Sequence, residues 1–88
     1  MIKEVCVENF TNVPLMIERG ADRIELNNDL SVGGTTPSFG VIKKTVEYAH
    51  KHDVPVVVMI RPRGGNFVYN EDELEIMIND IQICSLLN

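Results

Sequence analysis

From Ile2 to Glu8 the chain alternates, with Val5 and Val7 on one side and Glu4, Cys6 and Glu8 on the other, which predicts a strand with one apolar and one polar face. Thr11 is placed to cap a short helix that accepts Pro14 within its first turn; Leu15, Met16 and Ile17 supply its apolar side and Gly20 ends it. Asp22 to Leu26 predicts a second strand, with Ile24 and Leu26 on one face and Arg23, Glu25 and Asn27 on the other. A polar loop runs from Asn27 to Thr36. Thr36-Pro37 then predicts a second helix, with Thr36 at the cap and Pro37 at the first helical position, extending to about His52 on Phe39, Ile42, Val46 and Ala49. Val54 to Ile60 is apolar throughout and rich in β-branched residues, as in a parallel strand covered on both faces. Beyond Arg61-Pro62-Arg63-Gly64-Gly65, Asn70 and Glu73 have the spacing of a capping box. They open a third helix expected to bury Leu74, Met77, Ile78, Ile81 and Cys84.

The order β-α-β-α-β-α suits right-handed parallel crossovers. Each unit takes ~29 residues, against ~31 for a (β/α)8 barrel of typically ~250 residues. The expected class is therefore α/β of the TIM (β/α)8-barrel type with only the first three βα units present, so that residues 1–88 form the N-terminal segment of a single barrel domain. A three-stranded flavodoxin-like sheet is the alternative. Such a segment leaves a strand edge open on each side. It is expected to associate, either as a homo-oligomer or with the remainder of the barrel.

Strand parity also carries the chemistry. In a barrel the apolar set faces the helices, which sends Glu4, Cys6, Glu8, Arg23, Glu25, Asn27 and Arg61 to the interior, where charged groups are costly unless paired or used. Active sites of these barrels lie at the C-terminal ends of the strands, where Glu8, Glu25, Asn27 and Arg61 fall; Glu4 and Arg23 lie lower and read as a structural ion pair. Glu8 and Glu25 are candidate acid/base groups, with Arg61 as a third candidate catalytic residue. Asn27, Arg61, Arg63, Gly64 and Gly65 are candidate ligand contacts, because two glycines permit close backbone approach and two guanidinium groups suit a small anionic ligand. A tight turn with one arginine tying loops together is the plainer reading of that segment. The loop Gly33 to Ser38 first serves to turn the chain.

Composition narrows the partners. With 8 basic and 13 acidic residues the net charge is −5, which opposes nucleic acid and anionic lipid. The longest apolar run is far short of the roughly 20 residues of a membrane helix, and the expected location is cytoplasmic. Cys6 and Cys84 form no disulfide framework and no zinc spacing; Cys6 is the thiol that parity places inside, and a soft thiolate suits copper(I).

Four ordered segments, Glu4-Val5-Cys6-Val7, Gly20-Ala21-Asp22-Arg23-Ile24-Glu25-Leu26, Gly33-Gly34-Thr35-Thr36-Pro37-Ser38 and Arg61-Pro62-Arg63-Gly64-Gly65-Asn66-Phe67-Val68-Tyr69, closely resemble the CutC copper-homeostasis family. The resemblance implies a cytosolic TIM barrel of which this chain matches the N-terminal third or so. It also implies a role in copper tolerance, with copper(I) bound by cysteine, and carries Cys6 over as the cysteine of the first strand. Many members have a second cysteine directly after the Arg-Ile-Glu-Leu stretch, where this chain has Asn27. Two functions therefore stand: a copper(I) binder or handler through Cys6, and a barrel enzyme or binding protein for a small anionic metabolite with an indirect link to copper.

Overall fold

The computed structural model describes all 88 residues, in the order β1 (Glu4–Glu8), α1 (Val13–Glu18), β2 (Arg23–Asn27), a 3-10 turn (Leu30–Val32), α2 (Phe39–Lys51), β3 (Val56–Val58) and α3 (Glu71–Leu87). The three strands form one parallel sheet in the order β1-β2-β3. A flavodoxin-like arrangement would put β1 in the middle; here β2 is central, so that alternative does not hold.

One face of the sheet makes the core. Val7, Ile24, Leu26, Val54 and Val56 are buried with Val13 of α1 and Ile42, Val46 and Ala49 of α2, as the alternation and the helical spacing require. Helix α1 packs on α2, and α2 on α3, so the helices line up in chain order.

Several boundaries move for identifiable reasons. Strand β1 starts at Glu4, leaving Ile2 exposed, and the residue before α1 is Asn12, one beyond Thr11. Helix α2 is capped by Ser38, whose Oγ accepts the Val41 N–H at 3.2 Å, and not by Thr36. Thr36 is already committed: its N–H donates to the Arg61 carbonyl at 2.9 Å and its hydroxyl accepts the Arg61 N–H at 2.8 Å. Phe39 consequently sits at the first helical position and is exposed. Strand β3 keeps only Val56–Val58, although its ladder bonds reach from the Pro55 carbonyl to the Met59 N–H.

Helix α3 departs furthest from its sequence pattern. The capping box forms as expected, with Asn70 accepting from the Glu73 N–H at 2.8 Å and Glu73 accepting from the Asn70 N–H at 3.0 Å. No residue of the helix is buried, however, and Leu74 and Ile78 are 47% and 55% exposed, with Ile81 exposed as well. Met77 and Cys84 are half-buried. The helix hangs beside β3 over an open groove of about 650 Å³ lined by Val56, Val57, Ile60, Ile81 and Cys84. Cys84 and Leu87 at its far end pack against the core, while Leu74, Ile78 and Ile81 stay exposed.

Gly34 shows how closely the turn after β2 is packed. It has φ +95°, and a Cβ there would lie 2.4 Å from Asn27 Oδ1. Gly34→Ala is expected to cost roughly 2–4 kcal/mol in chemical denaturation, from the left-handed backbone and the forced displacement of Asn27. Gly40→Ala, in α2 with nothing within 4 Å, should instead gain about 0.5–1 kcal/mol.

Candidate functional site

The parallel register sets the polar face of the sheet in rows: Glu4 beside Arg23, Cys6 beside Glu25 beside Val57, and Glu8 beside Asn27. The lowest row is an ion pair between Arg23 Nε and Glu4. Both side chains are part exposed, so the pair contributes about 0–1 kcal/mol. This row is structural, as its position low on the strands suggests.

In the middle row the Cys6 thiol is exposed. Its pKa is raised, first by partial loss of hydration on the sheet, then by the charge of Glu25 and a hydrogen bond to it, then by the charge of Glu4. Because the thiol is exposed, the carboxylates are the component that mutation can test. The raised pKa keeps it a neutral thiol at pH 7, a weaker metal ligand than a thiolate.

At the rim the candidates are held by the main chain. Glu8 Oε1 accepts the Leu30 N–H at 2.7 Å, fixing the start of the 3-10 turn. Asn27, 1% exposed, donates from Nδ2 to the Glu25 carbonyl at 3.1 Å and, at 3.4 Å, to Glu25 Oε1; its Oδ1 has no partner. Glu25 thus touches both Cys6 and Asn27, the one candidate that connects two others.

Arg61 is 7% exposed and ties two loops together. Its Nη1 donates to the carbonyls of Val32 and Gly34, and Nη2 to that of Gly65 at 2.9 Å, while the Phe67 ring covers its carbon at 4.9 Å. The chain's three ion pairs are Arg23–Glu4, Lys43–Glu47 and Arg63–Glu73, and Arg61 is in none of them. Its Nε is buried without an acceptor. Arg63 differs in having every donor engaged: Nε and Nη2 with the Glu73 carboxylate, Nη1 with the carbonyls of Gly64 and Asn66, and Nη2 also with that of Val68. The two glycines shape this loop. Gly65 has φ +85°, and a Cβ on Gly64 would press to 3.2 Å from Val32.

Four contributors were not singled out as site residues from the sequence: Thr36, which bonds Arg61; Glu73, which neutralises Arg63; and Phe67 and Tyr69, which cover the two guanidinium groups at 4.9 and 5.1 Å. A signal for the last pair exists in the spacing, because two arginines two apart are followed six residues later by two aromatics two apart. No group of three His, Cys, Asp or Glu side chains is arranged to hold a metal ion. Within this chain, copper(I) would find one protonated thiol among hard carboxylates, which is not a matching donor set.

The CutC family model matches residues 1–88. A family protein CutC from Enterococcus faecalis is 62% identical over 81 residues, covering 92% of this chain and 39% of the relative. The copper homeostasis protein cutC homolog of Homo sapiens is 46% identical over 85 residues, covering 97% of this chain and 30% of the relative. The crystal structure of CutC from Streptococcus agalactiae superposes with a TM-score of 0.95 at 49% identity, covering all of this chain and 42% of that one. The chain spans less than two fifths of the length of these curated relatives.

Two measurements test the electrostatics. Glu73 has a lowered pKa, first from the hydrogen bond to Arg63 and then from the Asn70 N–H. It therefore stabilises the fold above its unfolded pKa, a contribution lost as pH falls through the depressed folded value. In a carboxyl-detected NMR titration Glu73 should titrate below the ordinary glutamate value, and Arg63→Ala should move it upward. For Cys6, alkylation by iodoacetamide at neutral pH should be slow for an exposed thiol and faster in Glu25→Gln.

Proposed function

This chain belongs to the CutC family, and from that membership we propose that it forms the first three units of a (β/α)8 barrel taking part in cytoplasmic copper homeostasis. The consecutive parallel strand order and the line of helices along the apolar face support the barrel reading. Support for the copper role comes from relatives named as copper homeostasis proteins. No helix is long and apolar enough to cross a membrane, and both cysteines are free.

The observation that carries the reading is the middle row of the polar face, where Cys6, the one thiol there, lies beside Glu25. Copper enters this reading as cargo. A soft cation that binds the Cys6 sulfur displaces its proton, and the Glu25 carboxylate beside it is placed to receive that proton. One sulfur does not complete a copper(I) site, so further soft donors have to come from outside this segment.

The test is a copper(I) titration of the protein against a competing chelator, for wild type, Cys6→Ser and Glu25→Gln. Cys6→Ser is expected to weaken apparent affinity about tenfold or more, and Glu25→Gln to flatten the dependence of binding on pH. Equal affinities for wild type and Cys6→Ser would remove Cys6 from the account. They would leave an indirect connection to copper, through a small molecule bound at the rim.

A further inference from the structure

Arg61 is 7% exposed, and its charged guanidinium has only neutral carbonyl partners. Burial of an ion is costly, and carbonyl dipoles offset that cost only in part unless an opposite charge completes the shell. Four carboxylates lie at this end of the sheet, and each is engaged elsewhere, Asp29 by the Ser31 hydroxyl. Glu8 accepts from the Leu30 N–H, Glu25 from Asn27, and Glu73 from Arg63. The Nε–H therefore remains a buried donor with no acceptor.

Arg63 provides the contrast within the same loop. It is more exposed than Arg61, yet its Nε and Nη2 already grip both oxygens of one carboxylate. The corresponding edge of Arg61 has Gly65 as its only partner, through Nη2. The surrounding turns are built from glycines with positive φ, Gly33, Gly34 and Gly65, so no β-carbon crowds the guanidinium from these positions. Its outer cover is Phe67, 73% exposed and so not itself locked in place by packing.

We propose that Arg61 anchors a small oxyanion, held through Nε–H and Nη2 between the loop after β2 and the loop after β3. The shared ligand chemistry is a pair of acceptor oxygens carrying negative charge, as in phosphate or a short carboxylate. The proposal does not depend on copper, and it stands or falls separately from the role of Cys6.

The experiment uses the chain in metal-free buffer with a chelator present, following the arginine Nε–H resonances by ¹H–¹⁵N spectroscopy. Inorganic phosphate is titrated in one arm and malonate in the other, with chloride holding ionic strength constant. A saturable shift of the Arg61 Nε–H with either anion, while that of Arg63 stays in place, is the expected result, and the arm that saturates first names the anion class. Arg61→Lys, checked for retained fold by the backbone spectrum, should abolish the saturable loop shifts. Four results would overturn the proposal: no shift with either anion, equal drift of both arginines, no protected Arg61 Nε–H because water already serves it, or an Nε–H displaced before any anion is added because a carboxylate of the protein is its partner.

Discussion

The rim of this sheet depends on the bonds that Arg61 makes to the carbonyls of Val32, Gly34 and Gly65. A loop that runs over the end of a strand has carbonyls and N–H groups that no ladder satisfies, and each must find a partner. One planar group with five donors can serve several carbonyls at fixed angles, which a lysine cannot do. Thr36 closes the same connection from the other side by pairing its main chain and hydroxyl with the main chain of Arg61. The loops after β2 and β3 thus behave as one piece, and the positions of Asn27, Gly34 and Gly65 follow from that.

Below the rim, the sheet separates its two tasks by parity. Its apolar face supplies cohesion, through Ile24 and Leu26 at the centre of the core. The other face carries no packing duty and can hold Glu4, Arg23, Cys6 and Glu25 in rows, where each carboxylate sets the charge felt by its neighbour. Changes to the polar rows should therefore act on chemistry more than on folding, whereas changes at the rim touch both.

The period of two in β1 and β2 was legible because alternation depends on local geometry alone: Val7, Ile24 and Leu26 are in the core, and Val5 packs against it half-buried. The cap of α2 was not legible from Thr36-Pro37. Two residues of the right type, Thr36 and Ser38, compete for that position, and the choice is made by Arg61, 25 residues away from Thr36. Helix α3 illustrates a different gap. Its pattern of Leu74, Met77, Ile78 and Ile81 describes what the helix is suited to touch, while burial depends on whether a facing layer is present. At the site, the polar set was visible as a set, but the division between an arginine with all its donors satisfied and one left with a free Nε was not, because it depends on Glu73 reaching back from the capping box.

The same capping box gives α3 an independence that its packing does not. With Asn70 and Glu73 reciprocally bonded and Glu71, Asp72 and Glu73 at its positive end, the first turn of the helix is stabilised locally, while its far end is tied to the sheet through Asn88 and the Val56 carbonyl. Between those two ends, Leu74, Ile78 and Ile81 stay exposed on a helix whose form does not depend on their burial. That stretch is a preformed apolar surface, shaped before anything covers it, on which another layer could condense.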